Sequence, residues 1–399
     1  MQGSYTIENA VLILPKGLQR GSILLVNGVI AAISPQDSYF EADKHYDAGG
    51  RYVSPGFIDL HVHGGGGFDF MDGTEAAFLG AARTHLAHGT TLLLPTTVAC
   101  SDDELVRVFS ALQSARKAAG PKPILYGLHL EGPYLSPEQA GAIDPAYLRM
   151  PDREHMEKLL QIGGKDIARI TLACELPGAL EVCDLCRQND ILLSIGHCDG
   201  EYAQILQAVN HGCRHITHLY SAMSTLRRRG AYRYLGLVES AYLLDNLSVE
   251  IIADGKHLPT ELLKLIVKNK DNASISLITD AMRGADMPDG SILKLGSLEK
   301  GQDALIRDGV AFVMDGSRFA GSVCTADRCI RIMWKQVGLD LHKAAQMMTT
   351  NPARVLGIDN NKGKLLPGMD ADLCIFDENV NIDTVFVAGL PYRPSDLSL

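Results

Sequence analysis

The chemistry of this 399-residue chain is concentrated in a few histidines and carboxylates with telling spacing. His61-Val62-His63 and His129-Leu130-Glu131 each set two polar groups at i and i+2, and along an extended strand such a pair faces one way. His197, His218 and Asp280 each close an apolar, β-branched run. Imidazoles mixed with carboxylates suit zinc, iron, cobalt or manganese better than calcium or magnesium. Glu131, His197 and His218 make a three-ligand set with a fourth position for water, the layout of a hydrolytic metal centre. A lone histidine at a strand end is usually a hydrogen-bonded structural group, but a metal site explains the coincidence of five strand ends better. Asp280 can take a proton from metal-activated water and deliver it to a leaving amine. The plainer alternative for Asp280 is a helix N-cap ahead of Ala281-Met282.

These side chains need a scaffold that brings five distant segments together. Apolar runs at residues 53–63, 90–97, 124–130, 170–175, 192–197, 215–219, 247–254 and 275–280 alternate with helical stretches. That alternation is the mark of βα units with buried parallel strands. Eight such strands over some 300 residues predict a (β/α)8 barrel of the TIM type, in which C-terminal strand ends converge on one face. Both chain ends are strand-rich instead, and Asn27-Gly28 between two apolar runs marks a hairpin. The expected organisation is a small β-sandwich domain from residues 1–53 plus 360–399 and a metal-dependent hydrolase barrel over residues 54–359.

Composition narrows the partners. The net charge is −10, from 37 basic and 47 acidic residues, which argues against nucleic acid but leaves room for a small anion. No apolar run approaches a membrane span and no secretory leader is evident, so neither membrane nor export is expected. Nine cysteines without a short-spaced framework fit a reducing cytoplasm. Cys183-x-x-Cys186 reads as a structural pair on a helix. His45, His85, His88, His211 and His342 read as structural or surface groups. The four glycines at residues 64–67 could cradle a phosphate, but without the Lys-Ser/Thr of a P-loop tight loop geometry explains them better.

Over nearly its whole length the chain resembles the N-acetylglucosamine-6-phosphate deacetylase branch of the amidohydrolase superfamily. The motifs that carry the resemblance include Pro55-Gly56-Phe57-Ile58-Asp59-Leu60-His61-Val62-His63-Gly64, His129-Leu130-Glu131-Gly132-Pro133 and Thr217-His218-Leu219-Tyr220. Ala253-Asp254-Gly255-Lys256-His257, Thr279-Asp280-Ala281-Met282 and Ala320-Gly321-Ser322 extend it. The resemblance implies metal at Glu131, His197 and His218, and a second metal with His61, His63 and Asp280 in some members. One or two divalent ions per subunit are therefore expected, zinc first, with iron, cobalt or manganese as alternatives. It implies Asp280 as the catalytic acid/base. Substrate contacts are implied at Ala142, Ser221, Ala222, Arg229, His257, Ala320 and Gly321, on a phosphorylated amino sugar held by a homodimer. Three departures from the family pattern fall in the substrate shell. Ile143 stands where a carbonyl-polarising histidine is usual, Ser221 replaces an asparagine, and the loop that usually runs His-Arg-Glu-Pro-Gly is here Arg228-Arg229-Gly230-Ala231-Tyr232, directly after Arg227. Losing one such donor can cost about 3 kcal/mol of transition-state stabilisation. Deacetylation of N-acetylglucosamine 6-phosphate is the leading expectation. The alternatives are another amino sugar phosphate, such as the galacto epimer, another N-acyl or cyclic amide, and a non-catalytic sugar-phosphate binder.

Overall fold

A computed structural model describes residues 3–35, 40–118, 120 and 123–397. The alternating apolar runs fold as anticipated into one ring of parallel strands. They are β1 (Phe57–Val62), β2 (Thr90–Thr97), β3 (Leu128–Glu131), β4 (Ile167–Leu172), β5 (Leu192–Ile195), β6 (His215–Ile216), β7 (Ser248–Ile252) and β8 (Ile275–Ile278). Each pairs in parallel with the next in the chain, and Ile124–Leu125 adds a short parallel segment on β2 ahead of β3. Nearly every residue of these strands is buried, as expected where helices cover the outside of a parallel sheet.

The ring closes between β8 and β1. At the C-terminal end the Asp280 N–H donates to the His61 carbonyl at 2.9 Å, and the His63 N–H to the Ala281 carbonyl at 2.8 Å. Lower down, the carbonyls of Met347 and Met348 accept from Leu277 and Ile58, each at 2.8 Å, so a later turn of chain fills the seam. Closure thus registers the histidine pair of β1 directly against Asp280.

Inside the ring a charged cluster replaces part of the usual aliphatic filling. Arg169 of β4 forms a two-pronged ion pair with Glu250 of β7, and both side chains are fully buried. The same guanidinium donates to Ser194 Oγ at 2.8 Å, Thr217 Oγ1 at 2.8 Å and the Leu60 carbonyl at 3.2 Å. One side chain therefore reaches five strands. A buried ion pair is tolerable only when its remaining donors are met in this way.

The chain ends meet in one mixed sheet. Its order is Leu390–Tyr392, Ile382–Val387, Leu373–Phe376, Tyr52–Pro55, Ser4–Leu14, Gly17–Val26 and Val29–Pro35, with Lys44–Asp47 also beside Ser4–Leu14. Asn27 and Gly28, both at positive φ, turn the expected hairpin. Ile7, Leu12, Ile23, Ile375 and Phe386 share one apolar cluster, so both ends of the sequence cover a common core. The sheet runs into the barrel at Gly56, where a Cβ would lie 2.2 Å from Thr91 Oγ1. Only glycine permits that approach.

Between β8 and the closing helices, Ile292–Leu295, Gln302–Arg307 and Val310–Val313 form a separate antiparallel sheet. It leans over the C-terminal end of the barrel and brings Leu295, Arg318 and Phe319 to the mouth.

Candidate active site

Glu131, at the end of β3, is the hub of the convergence. Its Oε1 lies 3.0 Å from His218 Nε2, 3.2 Å from His197 Nε2 and 3.4 Å from His61 Nε2, while Oε2 lies 3.3 Å from His63 Nε2. Asp280 Oδ1 approaches His61 Nε2 at 3.4 Å and His63 Nε2 at 3.3 Å. The ring nitrogens also face one another, His61 against His63 at 3.1 Å and His197 against His218 at 3.1 Å. Two groups result, one of His61, His63 and Asp280, the other of Glu131, His197 and His218.

The backbone departs from extended geometry where these groups sit. His197, His218 and Asp280 have φ of 47°, 28° and 46°. The apolar runs that continue as strand in the sequence therefore break two or three residues early. Left-handed backbone at non-glycine residues is costly and concentrates at functional sites. It also disposes of the N-cap alternative, since no helix follows Asp280.

The donor chemistry fits a divalent cation. His197 Nδ1 lies 2.7 Å from the Gln139 carbonyl, which can only accept, so the proton sits on Nδ1. Its Nε2 then faces a carboxylate oxygen and a second imidazole nitrogen. That contact repels unless a proton or a cation lies between. Without a cation, protons take its place. Burial pushes His61 and His63 down, but Glu131 and Asp280 outweigh it and hold them at about 9 and about 10. Conversely, despite burial, the imidazoles hold the Glu131 and Asp280 carboxyls below the usual range. His129 lies beneath, bonded to Thr96 and Thr171 and edge-on to His61 at 4.6 Å, a supporting rather than a facing position.

Above the floor is a cavity of about 400 Å³. Of the positions expected to touch substrate, Ala142, Ser221, Ala222, His257 and Gly321 line it. Ala320 does not, being buried behind Gly321 against Ala311. Arg229 does not either. It lies on an exposed hairpin of Arg227–Arg229 and Tyr232–Tyr234, pairs with Glu201 at 2.5 Å and stacks on Tyr234. His257 is held by Asp254, whose Oδ2 lies 2.7 Å from Nδ1 and whose Oδ1 accepts two backbone N–H groups. Although burial opposes it, Asp254 raises the His257 pKa and favours an imidazolium facing the cavity.

Other lining residues were not singled out in the sequence. Val98, Leu295 and Phe319 form apolar wall beside Ile143, the substrate-shell departure noted from the sequence, and Arg318 stands at the rim with its guanidinium 2.6 Å from the Gly141 carbonyl. Arg318 directly precedes Phe319-Ala320-Gly321, so a cation beside that motif was the available signal. Leu295 had none, because it belongs to the added sheet. The glycines at residues 64–67 do not form a phosphate cradle. The N–H groups of Gly64, Gly66 and Gly67 donate to the carbonyls of Ala281, Ala285 and Arg283, and a Cβ on Gly64 would meet the Phe68 carbonyl at 2.2 Å. His85 is buried and bonds the Gly64 carbonyl at 2.9 Å, a structural position as expected.

Comparison with known proteins gives a consistent neighbourhood. Residues 52–391 match the amidohydrolase family. The chain is 31% identical to the N-acetylglucosamine-6-phosphate deacetylase of Lysinibacillus sphaericus over 387 residues, 97% of either chain. It is 29% identical to the N-acetylgalactosamine-6-phosphate deacetylase of Escherichia coli O157:H7, over 92% of this chain and 93% of that one. Among solved structures, a mutant N-acetyl-D-glucosamine-6-phosphate deacetylase of Mycobacterium smegmatis in complex with N-acetyl-D-glucosamine 6-phosphate superposes with a TM-score of 0.88. It has 29% identity, with 98% of this chain and 99% of that one covered.

Proposed function

Because the chain belongs to the amidohydrolase family, we propose that it hydrolyses the N-acetyl group of N-acetylglucosamine 6-phosphate, releasing acetate and glucosamine 6-phosphate. The observation that carries this reading is the convergence of Glu131, His197, His218, His61, His63 and Asp280 at the floor of a cavity that also presents His257. It is supported by full-length similarity to deacetylases of amino sugar phosphates.

Glu131, His197 and His218 would hold one divalent ion, zinc first, and His61, His63 and Asp280 are placed to hold a second. Such an ion, when bound, acidifies water and polarises a carbonyl. Asp280, open to the cavity and ionised, takes the proton of the attacking water and returns it to the departing amine. Gln139 fixes the His197 tautomer through its carbonyl. His257, oriented by Asp254, donates to the sugar phosphate. Ile143, Val98 and Leu295 exclude water from the amide instead of polarising it.

Arg229 is not among the residues lining the cavity of its own chain and is more than half exposed. Its proposed role as a phosphate anchor therefore requires a homodimer, in which the hairpin reaches the partner's site. A cytoplasmic setting fits nine cysteines that are all free thiols, and no helix among the described residues is long and apolar enough to cross a membrane.

The test is acetate release from N-acetylglucosamine 6-phosphate and its galacto epimer by protein of measured metal content. A kcat/KM above about 10⁴ M⁻¹s⁻¹ on the gluco substrate, exceeding that on the epimer, is expected. Faster turnover of the epimer would transfer the assignment to it, a reading favoured by the galactosamine-type relative and by Ile143 and Ser221 in the wall. No release of acetate from either by fully metallated protein would overturn the reading.

A further inference from the structure

Beside the central site lies a second group of side chains with different donor chemistry. Cys174 and Glu175 follow the end of β4, and Cys198 follows His197 at the end of β5. Cys174 Sγ and Cys198 Sγ are 3.7 Å apart, and Cys198 Sγ is 2.9 Å from Glu175 Oε2. All three ligand atoms fall within 4.8 Å of one another. We propose that Cys174, Glu175 and Cys198 form a separate binding site for a thiophilic divalent cation of the zinc class, tying the end of β4 to the end of β5.

Several independent features favour a cation over a simple thiol contact. Two thiolates about 2.3 Å from a tetrahedral zinc lie about 3.8 Å apart, close to the spacing found. The Glu175 carboxylate is held by the Asp199 N–H on Oε1 at 2.7 Å, leaving Oε2 turned to the sulfur. The Gly200 N–H donates to Cys198 Sγ at 3.3 Å, which fixes the sulfur beside Glu175. A Cβ on Gly200 would come within 3.2 Å of that sulfur and 3.3 Å of the Glu175 side chain, so the backbone wraps both ligands closely.

An entry path exists. Both cysteines are buried, but Glu175 borders a surface cleft that Glu138 also lines, where Asp199 and Glu201 are paired with Arg227 and Arg229, so solvent in the cleft reaches the carboxylate side and supplies a fourth ligand. On binding, the two thiol protons leave to solvent, and the cation takes their place between sulfur and carboxylate. Other sulfur pairs make useful controls. Cys183 and Cys213 are also 3.7 Å apart, and Cys324 and Cys329 are 3.4 Å apart, yet among the described residues neither pair has a third ligand in such a group.

Cobalt(II) tests the proposal without substrate, so its outcome is independent of the deacetylase reading. Thiolate ligation gives a near-ultraviolet charge-transfer band that nitrogen and oxygen donors do not, and the central site has only the latter. Metal-stripped full-length protein titrated with Co²⁺ should gain this band. Cys174→Ser and Cys198→Ser should each abolish it while the visible absorption of the central site persists, and Glu175→Gln should weaken cobalt affinity at this band. Cys183→Ser should leave it intact. Absence of the band in the wild-type protein at saturating cobalt would overturn the proposal, as would a band that survives the double serine variant or disappears with Cys183→Ser.

Discussion

At the scale of single residues, Asp280 and the histidine pair of β1 make the sharpest claims. Asp280 opens to the cavity and touches His61 and His63, as Glu131 does, but it stands outside the group of Glu131, His197 and His218. Asp280→Asn keeps the shape and removes the base, so kcat should fall by about 10²–10⁴-fold. Metal content, measured on the same sample, should stay near wild type at Glu131, His197 and His218. Retention of most of the activity would remove Asp280 from its role. The imidazoles predict a proton count. Without a cation, Glu131 and Asp280 outweigh the burial that opposes them and hold His61 and His63 at about 9 and about 10, so both rings carry a proton at neutral pH. Filling the site with metal must expel those protons, and roughly two should be released at pH 7. Affinity should therefore fall as pH falls, because protons compete for the same lone pairs. Calorimetry in buffers of different ionisation enthalpy reads the number directly. A count near zero would mean that the metal does not engage the β1 pair. The letters at these positions announced their chemistry because few other side chains bind metals. Arg318 was not legible in that way, since an arginine at a loop carries no mark of what it faces.

Elements decide whether those residues meet. The β8–β1 seam places Asp280 against His61 by backbone hydrogen bonds, and the left-handed turns at His197, His218 and Asp280 set them at the strand ends. Apolar runs made the eight strands readable, yet the runs could not say where the extended backbone would stop, because the break is imposed by contacts between segments. Beneath the site, Arg169 and Glu250 stitch β4 to β7, with β1, β5 and β6 joined through the same guanidinium. Glu250 also lies 3.6 Å from His61 Nδ1. Glu250→Gln leaves the buried guanidinium without its counter-charge, and breaking such a pair typically costs about 3–5 kcal/mol. Urea unfolding should register a loss of that order. An unchanged midpoint would show that the cluster is not holding the barrel interior together.

For the whole molecule, the open question posed by the fold is how an exposed hairpin serves a buried site. Arg229 lies outside the cavity of its own chain, so a role in phosphate binding ties the substrate site to assembly. Light scattering should give a mass of about twice that of the 43.2 kDa chain. Arg229→Ala should raise KM severalfold with a smaller effect on kcat, since a contact to the remote phosphate is made in ground and transition states alike. A monomer with unchanged KM would leave Arg229 without that role. The chemical inventory and the barrel could be read from the letters alone, because metal-binding side chains are rare and the apolar period of a buried parallel strand is strong. The sequence also pointed to a small β domain built from both chain ends, through two strand-rich segments at opposite ends of the sequence. The tertiary structure alone decided which groups face the cavity. It brought in Leu295 and Arg318, left Arg229 outside, buried Ala320 and set Glu175 and Cys174 against Cys198. Those outcomes depend on through-space packing between segments far apart in the chain, and no local period encodes such distances.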